Sequence, residues 1–271
     1  MTQEFLLESY LRQLRLPTFV QSYQSLATEA ARTNLSYERY LFGLAQEEVT
    51  NREVHRIERT IQQARFPVLK ELAEFEWSLV PSVPKARILE LAQGAYIAEA
   101  SPVILLGNPG LGKSHVATGL ALAACRQGHR VRFYNVAGLV NDLIKAQQEY
   151  QLSRVMAQIC KYELIVLDEL GFIPFTATGA QLLFQLCSAL YERVAVIVTT
   201  NLRFAEWGRI MGGDERMSAA LLDRLTHRAT ILEFVGTSYR FRQQLQHPTS
   251  TGEERSEPAV ESDEAGIIIE G

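Results

Sequence analysis

The chain has 271 residues, 47% of them apolar, 9% aromatic and 21% charged, which is typical of a folded globular protein and excludes a disordered or collagen-like one. No apolar run approaches the roughly 18 residues of a membrane-spanning helix, and the first residues lack the basic and then apolar pattern of a secretory signal, so we expect a cytoplasmic protein without a membrane partner. The net charge is −4, but the last 24 residues hold seven acids and one base, which leaves a body of 26 bases and 24 acids that does not exclude a nucleic-acid partner.

The first 66 residues contain one glycine and no β-branched run, which predicts a small all-helical domain. Its predicted helices run from Glu4 to Leu14, from Thr18 to Ala31, and from a cap at Ser36 to about Arg65. Residues 67–84 contain three prolines and are interpreted as a linker.

Residues 85–245 contain short apolar strands separated by helix-length segments, which predicts an α/β domain with a parallel sheet. The five predicted strands are Val103–Gly107, Arg130–Asn135, Leu164–Asp168, Val194–Thr199 and Thr230–Phe234. Residues 246–271 are acidic and are predicted to form a disordered tail. Two roles remain open for this tail: an inert solubilising segment, or a competitor with DNA for a basic surface.

A glycine-rich loop follows the first predicted strand and precedes a predicted helix from Ser114 to about Arg126. The phosphate loop, as we call it, is Gly107-Asn108-Pro109-Gly110-Leu111-Gly112-Lys113-Ser114, which matches GxxxxGK[ST]. Its backbone N–H groups and the positive end of the helix favour bound phosphates. We expect Lys113 to bind the β- and γ-phosphates of ATP and Ser114 to coordinate Mg²⁺. The sequence therefore predicts a site for ATP and Mg²⁺ at the end of the first strand.

Polar residues follow two further apolar strands. Asp168 and Glu169 end the third predicted strand, where Asp168 is suited to bind Mg²⁺ and Glu169 to act as the general base that activates water. Asn201 follows the fourth strand, where its amide could contact the γ-phosphate and the attacking water. The alternative for Asn201 is a turn or helix-cap residue. Together with the phosphate loop, these residues predict an ATP-hydrolysing enzyme.

Four segments together carry a resemblance to a known family: Gly110-Leu111-Gly112-Lys113-Ser114-His115, Val166-Leu167-Asp168-Glu169, Leu221-Leu222-Asp223-Arg224-Leu225 and Ser238-Tyr239-Arg240. They resemble the IstB-type AAA+ ATPases, which assist DNA transposition and are related to the helicase loader DnaC. The resemblance covers roughly residues 5–245, and the helical N-terminal domain and the segment Leu72–Trp77 favour the IstB type. It implies an AAA+ P-loop NTPase fold, with a five-stranded parallel sheet flanked by helices and a small all-helical N-terminal domain. It also adds His115 to the ATP-binding residues.

The same resemblance implies roles for two arginines. Arg224 is expected to be the arginine finger that contacts the nucleotide of a neighbouring subunit, and Arg240 occupies the position of a second sensor arginine. Both would stabilise charge on the γ-phosphate during hydrolysis. Arg228 lies one helical turn after Arg224 and could be the finger instead. A finger that acts on a neighbour requires an ATP-dependent, head-to-tail homo-oligomer.

Three arginines of the third predicted helix, Arg52, Arg56 and Arg59, share one face and could contact a DNA backbone. From the residues alone, an ion-paired surface is favoured, because the helix also carries Glu47, Glu48, Glu53 and Glu58. The IstB resemblance implies instead that this helical domain binds duplex DNA without strong sequence preference.

The sequence and the resemblance are compatible with three functions. The favoured one is an ATP-dependent DNA-binding ATPase that oligomerises on duplex DNA and assists a transposase in target selection, hydrolysing ATP to ADP and phosphate. The alternative is a DnaC-like loader of a replicative helicase that acts on single-stranded DNA. A metabolic P-loop kinase is disfavoured, because Glu169 would then have no role and a substrate lid would be expected.

Overall fold

The computed structural model describes residues 3–236 and 238, so Arg240 and the predicted acidic tail lie outside the described residues. The N-terminal region contains helices α1 (Gln3–Gln13), α2 (Pro17–Thr33) and α3 (Tyr37–Ala64), in agreement with the predicted order. Pro17 begins α2, because its fixed φ and missing N–H suit the first position of a helix.

The second region alternates strands and helices, as predicted. Its helices are α4 (Lys85–Leu91), α5 (Ala95–Ala98), α6 (Lys113–Arg126), α7 (Val136–Gln148), α8 (Leu152–Ile159), α9 (Ala177–Leu190), α10 (Trp207–Ile210) and α11 (Glu215–Thr226). Its strands are β1 (Val103–Gly107), β2 (Val131–Asn135), β3 (Leu164–Leu170), β4 (Ala195–Thr200) and β5 (Thr230–Phe234). Short 3-10 turns lie at Leu72–Glu74, Trp77–Leu79 and Phe204–Glu206. Within the described ranges, no helix is both long and apolar enough to cross a membrane.

The five strands form one parallel sheet in the order β2-β3-β4-β1-β5, which confirms the predicted sheet. The chain therefore moves from β1 to the far edge of the sheet and returns, so that β4 lies between β1 and β3. The register pairs Leu106 of β1 and Leu170 of β3 with the same residue of β4, Thr200. This order places the carboxyl ends of β1, β4 and β3 side by side, where open parallel sheets bind ligands.

Apolar side chains cover both faces of the sheet, because successive strand residues point to opposite sides. Leu105 and Val166 pack with α6 on one face. Ile104 and Leu167 pack with α7, α9 and α11 on the other. The sheet is thus buried between helices, as its near-continuous apolar strands predict.

The C-terminal half of α3 lies against the second region, where it packs on α6 and β2. The ring of Phe66 meets that of Phe133 edge to face, with centroids 6.0 Å apart. Arg132 donates from Nη1 to the backbone oxygen of Gln63 at 2.9 Å. The long helix therefore joins the helical domain directly to the sheet.

Candidate nucleotide site

A cavity of about 640 Å³ lies at the carboxyl ends of β1, β3 and β4. Its walls come from the phosphate loop, from residues at the ends of β3 and β4, and from eight residues between positions 68 and 80. Linker residues and the phosphate loop therefore enclose the same space.

The backbone of the phosphate loop favours glycine at three positions, the first of which is Gly107 with φ +148°. Gly110 and Gly112 have φ of +82° and +83°, and a Cβ on Gly112 would lie 2.5 Å from Cε2 of Phe75. The loop then enters α6 at Lys113, so the unpaired N–H groups of the first helical turn lie beside the cavity. This arrangement is suited to bind phosphate.

Lys113 is 8% exposed, and its ammonium lies inside the curve of the loop. Its Nζ donates to the backbone oxygens of Gly107 at 2.6 Å and Asn108 at 2.8 Å. These contacts hold a positive charge at the wall of the cavity, where an anionic ligand would meet it.

Asp168 is buried and accepts hydrogen bonds from two neighbouring elements at one oxygen, Oδ1. Ser114 donates from Oγ at 2.7 Å, and Thr199 donates from Oγ1 at 2.6 Å. The hydroxyl and carboxylate oxygens of Ser114 and Asp168 are the hard ligands that Mg²⁺ prefers, so the residues present fit this ion. Sequence reasoning missed Thr199, although a hydroxyl in an otherwise apolar strand is a detectable signal.

Glu169 adopts φ +61°, which is uncommon for a residue other than glycine. The β3–β4 register shifts between Leu167 and Leu170, and this irregularity directs Glu169 to the cavity, whereas Asp168 stays buried. Its N–H donates to Oγ1 of Thr199 at 2.9 Å. Thr199 therefore positions both carboxylate residues.

The carboxylate of Glu169 also has a partner on the next strand. Asn135, the last residue of β2, donates from Nδ2 to Oε2 of Glu169 at 2.9 Å. The same side chain caps α7, since its Oδ1 accepts from the N–H of Gly138 at 3.4 Å. Sequence reasoning missed Asn135, although a polar residue at a strand end on this edge is the kind of signal that drew attention to Asn201.

Asn201 lines the cavity directly after β4. The structure thus brings Lys113, Ser114, Glu169 and Asn201 to one cavity, with Asp168 behind Ser114. This arrangement can hold a phosphate chain and place a carboxylate and an amide beside its end.

His115 lines the cavity and also contacts the linker. Its Nε2 lies 2.7 Å from the backbone oxygen of Glu71, and its ring meets Phe75 edge to face, with centroids 5.3 Å apart. Arg126 pairs with the Glu71 carboxylate at 2.5 Å, and hydrogen bonding to this guanidinium lowers the pKa of Glu71 below its ordinary value. Residues 71–75 are therefore packed on α6, a role that their proline-rich context did not indicate.

The two candidate finger residues lie far from this cavity, at the amino-terminal edge of the sheet. Arg224 and Arg228 line a small cleft with residues that precede β1 and begin β4. Arg224 is half-buried, donates from Nη1 to the backbone oxygen of Ala220 at 2.7 Å, and stacks over the Phe184 ring at 5.0 Å. Arg228 is exposed. Arg240, the third predicted arginine, lies outside the described residues.

The three arginines considered for DNA contact have intramolecular partners. Arg52 pairs with Glu48 at 2.6 Å, and Arg56 pairs with Glu53 at 2.6 Å. Arg59 donates from Nε to the backbone oxygen of His55 at 3.1 Å. These contacts agree with the ion-paired alternative for Arg52 and Arg56, and DNA contact by this face stays a prediction.

Comparisons with known proteins place the chain among relatives from insertion sequences. The model of the family described as IstB-like ATP binding protein matches residues 9–247. A relative from Pseudomonas aeruginosa, named as an ATP-binding protein of insertion sequence IS21, is 37% identical over 237 residues, or 88% of this chain and 89% of the relative. A relative from Geobacillus stearothermophilus, named in the same way for insertion sequence IS5376, is 32% identical over 88% of this chain and 94% of its own length.

Solved structures are similar in fold. The structure of DnaI aligns with a TM-score of 0.51 and 16% identity over 61% of this chain and 91% of that chain. The structure of the DnaC helicase loader aligns with a TM-score of 0.47 and 17% identity over 56% of this chain and 88% of that chain. The fold is that of the AAA+ proteins, as predicted. The family model matches most of this chain, and both relatives described above are more than 30% identical to it. The chain therefore belongs to the IstB-like ATP binding protein family.

Proposed function

We propose that this chain is an ATPase that assembles on duplex DNA and assists a transposase, using ATP hydrolysis to control target selection. The observation that carries the catalytic part is the pair of carboxylates beside the phosphate loop: Asp168 bound to Ser114 at 2.7 Å, and Glu169 directed to the cavity. Asp168 would serve Mg²⁺ binding alone, so it is the second carboxylate, Glu169 at the cavity wall, that favours hydrolysis over ATP binding without turnover.

The residues divide the hydrolytic work. Lys113 binds the β- and γ-phosphates, while Asn201 orients the attacking water. Glu169 accepts a proton from this water, whose oxygen bonds to the γ-phosphorus as the bond to the β-phosphate oxygen breaks, giving ADP and phosphate. Ser114 and Asp168 would hold Mg²⁺, which neutralises phosphate charge when bound.

The DNA and transposase parts of the proposal rest on family membership. The relatives are named for insertion sequences, mobile DNA whose movement requires a transposase. Because the described chain presents no base-reading motif that we recognise, we expect contacts with the phosphate backbone and little sequence preference. The partners of the chain are therefore duplex DNA, a transposase and further copies of itself.

The first experiment measures steady-state ATP hydrolysis at low salt without DNA, with a random-sequence duplex and with single-stranded DNA. We expect the duplex to stimulate turnover and to yield ATP-dependent complexes of high mass. Glu169→Gln is expected to bind ATP but to lose hydrolysis by at least about a hundredfold, because the amide is not a proton acceptor. Glu58→Gln, which changes an exposed acid of α3, is the matched control.

Two outcomes contradict the proposal. Stimulation by single-stranded DNA alone would assign the chain to the loading of a helicase. Undiminished hydrolysis by Glu169→Gln would exclude this residue as the base.

A further inference from the structure

Two contacts within its own chain hold the side chain of Arg224 in place. The guanidinium lies over the ring of Phe184, 5.0 Å from the ring centroid, and Nη1 donates to the backbone oxygen of Ala220 at 2.7 Å. Arg228, the other candidate finger, is exposed, and its side chain makes no hydrogen bond, ion pair or ring contact with the residues that the structure describes. Of the two arginines, Arg224 is therefore the one whose position is fixed.

Phe184 offers its ring from a firmly packed helix. It lies in α9, where Leu183 and Leu186 are buried in the apolar core on the same side of the sheet. Helix α9 packs against α11, which carries Arg224, and the Phe184 ring itself is half-buried. Because the ring belongs to a neighbouring helix, the packing of the two helices sets the position of the guanidinium.

The stacked guanidinium is still able to bind a phosphate. The ring contacts the flat face of the group, whereas its N–H groups lie in its plane. Nη1 bonds to Ala220, but Nε and Nη2 of Arg224 donate to no atom within the described ranges. Since Arg224 is half-buried, part of its side chain is open to solvent. The N–H groups can therefore donate to phosphate oxygens of a second molecule while the ring stays in place.

An arginine that is held in advance makes a more favourable contact with a phosphate. A free arginine side chain adopts many rotamers, and ordering them at the moment of contact opposes that contact. When folding has already ordered the side chain, this loss is smaller. Finger contacts strengthen as charge develops on the transferred phosphoryl group, so the benefit falls on the chemical step and not on the affinity for ATP.

We propose that Phe184 is a positioning residue for ATP hydrolysis, whose ring fixes Arg224 as the finger that contacts the nucleotide of a neighbouring copy. This inference rests on the proposed function, since it presumes hydrolysis by copies that assemble head to tail. It adds a residue that does not touch the nucleotide and acts through Arg224 on the site of another copy.

The first test replaces the ring by an aliphatic side chain in the full-length protein. With duplex DNA present, Phe184→Leu is expected to lower kcat about tenfold, within the range of a partly buried cation–π contact, and to leave the KM for ATP unchanged. Phe184→Tyr keeps the aromatic face and is expected to retain full turnover. The control is Phe204→Leu, which removes another half-buried ring of the same apolar cluster, one that packs on Trp207.

The melting temperature of each variant shows whether the fold is intact. Phe184→Leu is expected to change it no more than the control does. If it falls further, Phe184→Met repeats the kinetic measurement, because the flexible methionine side chain fills irregular space without offering a ring.

A mixture with Glu169→Gln separates positioning from packing. Phe184→Leu supplies an intact Glu169, and Glu169→Gln supplies the intact Phe184 and Arg224 of the next copy. Such contacts make up about a quarter of those in an equal mixture, so adding the inactive variant is expected to raise turnover from about a tenth to about a quarter of that of the unchanged chain. A ring that acted only within its own copy would instead give about a twentieth, since half of the copies lack the base.

The other outcomes overturn the inference in ways that can be told apart. Full turnover of Phe184→Leu, with Arg224→Ala inactive, would mean that the finger needs no ring, and the proposed function would stand. Equal losses in Phe184→Leu and Phe184→Tyr, or a mixture without recovery, would assign the ring to packing. Full hydrolysis by Arg224→Ala would leave Phe184 with no finger to position. If the unchanged chain hydrolyses no ATP, the inference and the proposed function both fail.

Discussion

The carboxylate of Glu169 is held by an amide in the structure, and this contact bears on how the proposed base works. Asn135 donates to Oε2 at 2.9 Å, so one of the two carboxylate oxygens is already engaged. The hydrogen bond fixes the carboxylate in one direction and occupies one of the two oxygens that could accept a proton. Release of this bond would therefore increase the capacity of Glu169 to activate water.

We predict that Asn135→Ser raises ATP hydrolysis in the absence of DNA up to about tenfold, which corresponds to about 1.4 kcal/mol, just below the range for a hydrogen bond to a charged group. Serine removes the amide donor but retains an oxygen that can cap α7. Turnover without DNA at saturating ATP is the measurement. Asn201→Ser, which removes the amide that lines the cavity directly after β4, is expected to lower turnover. Unchanged or reduced turnover in Asn135→Ser would show that the contact does not restrain Glu169.

At the scale of elements, the helical domain depends on a buried carboxylate between two helices. Glu48 of α3 has a side chain that is 5% exposed and accepts from the backbone N–H of Thr18, near the start of α2, at 2.9 Å. It thereby satisfies an N–H group that α2 leaves unpaired. Burial raises the pKa of Glu48, but hydrogen bonds from Arg52 and Thr18 outweigh this effect and lower the pKa below its ordinary value.

We predict that Glu48→Gln lowers the free energy of unfolding of the helical domain by about 1–3 kcal/mol at pH 7, as loss of charged hydrogen bonds does. Because the pKa is lower in the folded chain, the stabilisation is complete above the ordinary pKa of 4.5 and is lost as pH falls through the folded value. Thermal unfolding followed by circular dichroism at pH 7, and then at a series of decreasing pH values that begins at the ordinary pKa of 4.5, measures both effects. The exposed Glu58→Gln is the control, and an equal change in both variants would contradict the assignment.

The elements themselves were largely predictable. Each strand is an apolar run bounded by polar residues, so all five were found within two residues of their ends. The phosphate loop carries its own sequence motif, and Asp168 and Glu169 follow an apolar strand. Asn135 and Thr199 were missed, because their roles depend on the strand order that places β3 between β2 and β4. The packing of Glu71 and Phe75 on α6 was missed for a different reason, since it is set by contacts between the linker and a helix that lies far along the chain.

At the scale of the whole molecule, the proposed catalytic groups are divided between opposite edges of the sheet. The nucleotide cavity lies at the carboxyl ends of the strands, whereas Arg224 and Arg228 lie where β1 and β4 begin. A five-residue strand spans about 13–16 Å, so neither arginine can contact the nucleotide bound to its own chain. Head-to-tail stacking of copies would bring the arginine edge of one copy to the nucleotide edge of the next.

This separation leads to a prediction for mixtures of two inactive variants. Arg224→Ala is expected to bind ATP and to lose hydrolysis by about a hundredfold or more, as removal of an arginine finger does. Glu169→Gln is expected to be equally inactive alone. In an equal mixture, the intact Glu169 of one variant meets the intact Arg224 of the other at about a quarter of the head-to-tail contacts, so about a quarter of full activity returns.

The mixture also identifies which arginine acts. If Arg228 is the finger, Arg228→Ala is inactive alone and recovers activity with Glu169→Gln, whereas Arg224→Ala retains hydrolysis. Activity is measured over a range of protein concentrations with duplex DNA present, since recovery requires assembly. An equal mixture that stays inactive while each variant still assembles would mean that neither arginine acts across a contact between copies, and the separation of the two edges would then need another explanation.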